Sequence, residues 1–326
     1  MLSIFRTNQS LSNIFVLLYL IVLRLSTFIH PTLYVPKNQG VLSNWVFDWI
    51  HPSTLMAHFF SLVLVFVQAV MINGLIQRFR ITSTGTLLPG VFYCLVTSFS
   101  PEFLTLSPLL LGNTFLILGV WRLFEVYKNP QCADTIFDVG LWVGVASLFQ
   151  FSYAILIVWI VVGLAVLRGL NFKELFMAFL GFLVPSFLMG VYLFWTNQLP
   201  SFYQTHIGPQ LGFMHLLGTL QSIDYIKVSI FGSLILLTII MSGSFFSKRN
   251  ISAQKFIEIL FWLMIFAGLS LVFQSNLQIG SLLIFSVPLG ILLSLSFLNM
   301  GSAAAEALHT LLFVGALLLQ YEFMLI

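Results

Sequence analysis

Apolar runs separated by short polar turns occupy almost the whole chain, and their lengths set the first expectation. A helix needs about 20 apolar residues to cross the hydrocarbon layer, and fewer where other helices enclose it. Runs of that order fall at 11–28, 54–76, 84–100, 107–124, 135–149, 151–168, 174–195, 226–246, 255–273, 278–297 and 303–324. They predict an all-α polytopic membrane helical bundle of about eleven transmembrane helices, forming a single integral membrane domain over residues 1–326. The runs at 84–100 and 135–149 are short, which predicts incomplete or strongly tilted crossings.

Composition agrees with this solvent. The chain is 59% hydrophobic and 7% charged, where a soluble domain carries roughly a quarter charged residues. A net charge of +3, from 13 basic and 10 acidic residues, is too small and scattered for nucleic-acid binding. Arg6 ahead of an apolar run resembles a signal peptide, but no small-x-small cleavage site follows Leu11 to Thr27, so the segment reads as an uncleaved first span. Cys94 and Cys132 have neither the shared compartment nor the spacing of a disulfide or metal pair.

The basic residues set an orientation, because they collect in short cytoplasmic loops. With the N-terminus inside and the C-terminus outside, Arg6, Arg78, Arg80, Arg122, Lys128, Arg168, Lys173, Lys248, Arg249 and Lys255 fall on the cytoplasmic side, ten of the 13. Arg24, Lys37 and Lys227 fall outside. Two outer segments exceed a simple turn: a first periplasmic loop at 29–53 and a second at 196–225. The first contains Pro31, Pro36, Asn38 and Gly40, then a short interfacial helix over Asn44–Ile50 with Trp45 and Trp49 four apart. The second contains Pro200, Tyr203, Gln204, His206, Pro209, His215, Asp224 and Tyr225.

Familiar chemical motifs are missing: there is no HExxH, CxxC, Walker loop, GxGxxG or GxSxG. His51 and His58 lie seven apart near the outer surface, which is not a haem-ligating spacing. The candidate chemistry is therefore acidic. Asp48, between two tryptophans at the membrane boundary, either faces water from an anchoring helix or serves as a general base or metal-binding carboxylate. Glu102, in the outer turn Ser100–Pro108, either favours a helix start or supplies a second carboxylate, and two carboxylates can hold a divalent cation. Arg24 either snorkels to ordinary lipid phosphates or pairs with a lipid-linked phosphate. His51, Tyr203, His206 and Lys227 are candidate contacts for a phosphate or sugar.

Other features point to packing. Asp134 and Asp138 flank a helix start, where the dipole favours acids. Gly140 and Gly144 have GxxxG spacing with Ser147 on the same face. Pro185 and Pro288 are expected to bend their helices.

The stretch 84–195 resembles the membrane core of C-superfamily glycosyltransferases that use polyprenyl-phosphate-linked sugars. The residues concerned are Ser100-Pro-Glu102, the run Asp138–Phe149, a span ending in Arg168, and Gly181–Pro185. The resemblance implies an inside N-terminus and acidic residues on two outer loops, the places held by Asp48 and Glu102. It also implies a lipid phosphate balanced by Arg24 or Lys227, and an acceptor deprotonated by Asp48. The pattern departs in having one acidic residue in the first loop instead of an adjacent pair, and no soluble outer domain after the bundle. The whole chain also resembles a family of polytopic inner-membrane proteins from Bacteroidota, which implies a bacterial inner-membrane location and no particular activity. The competing reading is a non-catalytic subunit or scaffold of an envelope-assembly, secretion or export complex, with membrane-protein partners. A solute transporter is disfavoured by charges clustered at span ends and by the lack of paired inverted repeats, whereas a lipid flippase, which needs mainly a groove, stays open as a less favoured alternative.

Overall fold

The computed structural model describes residues 2–5, 12–29, 40–51, 54–82, 85–202, 222–246, 249–274 and 278–321. The expectations attached to Arg6, Pro31, Pro36, Lys37, Asn38, Pro209, His215 and Lys248 lie outside these residues. Within them the chain is helical and contains no β-strand. The elements are α1 Leu2–Phe5, α2 Ser12–Leu23, α3 Leu25–Ile29, α4 Val41–Trp49, α5 Leu55–Arg78, α6 Leu88–Val96, α7 Pro101–Leu104 and α8 Pro108–Glu125. They continue with α9 Ala133–Phe149, α10 Leu156–Arg168, α11 Phe172–Trp195, α12 Leu199–Phe202, α13 Ser222–Phe246, α14 Ile251–Val272, α15 Ser286–Asn299 and α16 Ser302–Gln320. Short 3-10 turns, Phe151–Ile155 and Ile279–Phe285, lead directly into α10 and α15.

Each of the eleven apolar runs contains a helix among the described residues. Among the described residues eight helical stretches are long and apolar enough to cross a membrane, counting each 3-10 lead-in with its helix, and the chain is a multi-pass membrane protein. The other three runs form α2 with 12 residues, α6 with 9 and α9 with 17. At 1.5 Å per residue, α6 covers about 14 Å of a hydrocarbon layer roughly 30 Å thick. It can be this short because all nine of its residues are buried within the protein, where non-helical backbone at membrane depth is tolerated.

Burial separates a centre from a rim. In the 3-10 turn and α15 together, 89% of the most apolar window is buried, against 22% for α11, α13 and α16. The central helix therefore packs on all sides, against α6, α13 and α14 among others, while the rim helices present phenylalanines and leucines outward. Polar side chains bind the centre together. The Tyr93 hydroxyl donates to Gln68 Oε1 at 2.6 Å, and Gln68 Nε2 donates to Leu110 O and Thr114 Oγ1, both at 2.7 Å. Asn113 Nδ2 donates to Ser286 Oγ at 2.9 Å, and the Tyr153 hydroxyl lies 2.8 Å from Asn113 Oδ1. Tyr93→Phe removes the donor to Gln68 and is expected to cost about 1 kcal/mol, measured as reversible unfolding in mixed micelles; a variant as stable as the wild type contradicts this.

Ion pairs gather helix ends at one side of the bundle. Glu125, closing α8, pairs with Arg78 at 3.3 Å and Arg122 at 2.9 Å, and Arg122 reaches Asp138 of α9 at 3.3 Å. Asp138 is thus a partner in this network, beyond any effect of the helix dipole. Arg168, closing α10, pairs with Glu174 of α11 at 3.6 Å, and Lys255 of α14 bonds Leu167 O at 3.4 Å. Lys128 and Lys255 both approach the Tyr127 ring. The opposite ends of these helices meet at the other side, where Gly40 N and Ser43 Oγ, entering α4, both donate to Phe149 O of α9 at 2.8 Å.

The glycine spacing has a close-packed outcome. A Cβ at Gly140 would lie 2.0 Å from Ala178 O, at Gly144 2.5 Å from Phe182 O, and at Gly181 2.1 Å from Phe137 O. Glycine alone lets α9 and α11 approach at these points. Pro185 sits inside α11, whereas Pro288 occupies the first turn of α15, where proline is tolerated. Cys94 and Cys132 are buried free thiols.

Candidate functional site

The side of the bundle away from the basic ion pairs carries a turn between α6 and α7 that organises everything around it. Thr97 caps α6, Ser100 precedes α7, and Pro101 opens that four-residue helix. The break leaves backbone carbonyls without helical partners. Arg24, between α2 and α3, supplies them. Its Nη2 donates to Thr97 O at 2.9 Å and Phe103 O at 3.3 Å, its Nη1 to Leu104 O at 3.2 Å and Ser61 Oγ at 2.6 Å, and its Nε to Ser98 Oγ at 3.3 Å. All five N–H donors of the guanidinium are engaged within the protein, and the side chain is 1% exposed. Carbonyls at helix C-termini carry partial negative charge, which compensates the buried cation.

The same turn presents Glu102 on its other side. Ser100 Oγ donates to Glu102 Oε2, and Lys227 Nζ donates to Glu102 Oε1 at 2.9 Å. Asp224, one turn earlier on α13, places Oδ1 3.9 Å from the same Nζ. Lys227 is 3% exposed while Glu102 and Asp224 keep 22% and 20%, so the cation is enclosed and the carboxylates remain partly open. Phe231, one turn beyond Lys227, meets Phe103 edge-on at 6.1 Å and reaches Phe285 at the same distance, fixing α13 against the turn.

Around this core Gln320 of α16 accepts from Ser26 at 2.6 Å and donates to Ser98 O, tying α3, α16 and the α6–α7 turn together. His58, one turn before Ser61 on α5, is buried, with neither ring nitrogen hydrogen-bonded among the described residues.

Of the residues singled out from the sequence, Glu102, Lys227 and Arg24 converge on this turn. Asp48 does not join them. It lies exposed on α4 with Trp45 and Trp49, while Phe47 turns inward toward Ala57 and Leu106. Trp45 meets Tyr192 of α11 edge-on at 5.2 Å. Asp48 makes no hydrogen bond or ion pair with Glu102. His51 has an exposed side chain, and its carbonyl accepts from Thr54 Oγ1 at 2.7 Å at the start of α5. Tyr203 and His206 lie outside the described residues. The sequence reading did not place Asp224 in the site, although its i, i+3 spacing to Lys227 is a signal that could have paired them, whereas Ser61, Ser98 and Gln320 have no sequence signal that links them to Arg24. Among the described residues no three His, Cys, Asp or Glu side chains gather as a metal site.

No protein-family model matches the chain, and no curated protein matches it. Among solved structures it is similar to ArnT from Cupriavidus metallidurans bound to undecaprenyl phosphate, at 13% sequence identity and a TM-score of 0.49. The match covers 87% of this chain and 55% of the other, so the chain spans about half the length of the structure it matches.

Proposed function

We propose that the chain is a glycosyltransferase-like protein of a bacterial inner membrane that engages a polyprenyl-phosphate-linked sugar at its periplasmic face. The excess of basic residues at the opposite helix ends supports that orientation. The observation that carries the reading is the cross-bundle cluster of Glu102, Lys227 and Asp224, with an enclosed cation and partly open carboxylates at a membrane boundary. In this reading Glu102 positions the acceptor or sugar and Lys227 balances phosphate charge. Arg24 acts indirectly, by holding the turn on which Glu102 stands, and Asp48 faces the acceptor from the aqueous side as the base. Release of polyprenyl phosphate from a synthetic polyprenyl-phosphate hexose tests this, using protein in lipid nanodiscs and candidate acceptors. Glu102→Gln is expected to lower the rate by about 100-fold, the loss that misplacing a bound reactant brings. Turnover unaffected by Glu102→Gln and Asp48→Asn would remove both carboxylates from the chemistry.

One observation favours the non-catalytic reading: Asp48 stands apart from Glu102, and both Glu102 oxygens already have partners. A scaffold predicts that both variants restore a deletion strain and that the protein co-purifies with a partner at fixed stoichiometry.

A further inference from the structure

We propose that Lys227 is a built-in cation, holding the position between Glu102 and Asp224 that a divalent metal ion would otherwise take. Two carboxylates from different elements, α7 and α13, face one another at a membrane boundary, the arrangement in which a divalent ion is ordinarily gathered. Here the ammonium nitrogen lies 2.9 Å from Glu102 Oε1 and 3.9 Å from Asp224 Oδ1. The remaining oxygen of Glu102 accepts from Ser100 Oγ. A magnesium ion needs about six oxygen ligands at roughly 2.1 Å. To find even two of them here it would have to expel an ammonium whose side chain is 3% exposed.

The surrounding charge works in the same direction. Arg24 is bonded to the carbonyls of Phe103 and Leu104, the two residues that follow Glu102. A divalent ion entering beside Glu102 would therefore meet repulsion from two fixed cations. The cluster satisfies its carboxylates from within the chain, and it does so whether or not a lipid-linked sugar is the substrate. If the proposed function holds, the phosphate of such a substrate meets its counter-charge in Lys227, without a metal bridge.

The test uses the full chain in nanodiscs, with Mn2+ as the probe, followed by electron paramagnetic resonance and by thermal unfolding in EDTA or excess Mg2+. The wild type is expected to show no saturable Mn2+ site dependent on Glu102 and the same midpoint in both media. Lys227→Ala should unfold earlier, gain a single saturable Mn2+ site and recover part of its midpoint with the ion; adding Asp224→Asn should abolish that gain. Saturable Mn2+ binding by the wild type that Glu102→Gln removes would overturn the proposal, as would a folded Lys227→Ala protein indifferent to the ion. The wild-type measurement decides the matter alone if Lys227→Ala does not fold.

Discussion

Arg24→Ala is expected to destabilise the bundle by about 3 kcal/mol or more, because three backbone carbonyls and two hydroxyls lose their donor in a site closed to water. The loss should fall on the α6–α7 turn first, since Thr97 O, Phe103 O and Leu104 O all depend on this one side chain. Arg24→Lys should recover only part of it. An ammonium has three donors on one nitrogen and cannot span the fork that the guanidinium fills. Reversible unfolding in mixed micelles, with hydrogen exchange at the turn, measures both effects. An Arg24→Ala protein within about 0.5 kcal/mol of the wild type, the range of ordinary surface substitutions, would show that the turn is held by other means.

A comparable loss is expected where α9 crosses α11. A methyl group at Gly140 would fall 2.0 Å from Ala178 O, and one at Gly181 2.1 Å from Phe137 O. Backbone cannot step aside as a side chain does, so either alanine substitution must push the helices apart. Overpacking of this kind costs about 1–3 kcal/mol and occasionally more, and the bulkier Gly140→Leu should prevent α11 from docking. Gly190, also on α11, has nothing within 4 Å of a built Cβ. Gly190→Ala should be neutral or stabilise by about 0.5–1 kcal/mol through helix propensity. Equal behaviour of Gly140→Ala and Gly190→Ala in the unfolding assay would contradict the packing argument.

Hydropathy alone located all eight helical stretches that are long and apolar enough to cross a membrane among the described residues, because a membrane demands long apolar segments and little else competes with that signal. Close packing on one face of α9 was legible too, since Gly140 and Gly144 share that face, but the identity of α11 as the partner was not. The role of Arg24 was not legible. A cation at the end of an apolar run has the same local sequence whether it snorkels to lipid phosphate or caps a broken helix. The choice depends on Thr97 to Leu104, more than seventy residues along the chain. The Glu102–Lys227 pair spans 125 residues, so spacing rules that work within one helix could not join them. Asp48 shows the converse. Its place beside two tryptophans fitted either an anchoring helix or a catalytic one, and the fold puts it on the exposed face of α4, apart from Glu102.

The most direct measurement is a structure in nanodiscs supplied with polyprenyl phosphate. The expected result is an elongated lipid density whose phosphate end lies against Lys227 and Glu102. A dry, closely packed surface at that turn, or polyprenyl phosphate bound elsewhere on the bundle, would contradict it.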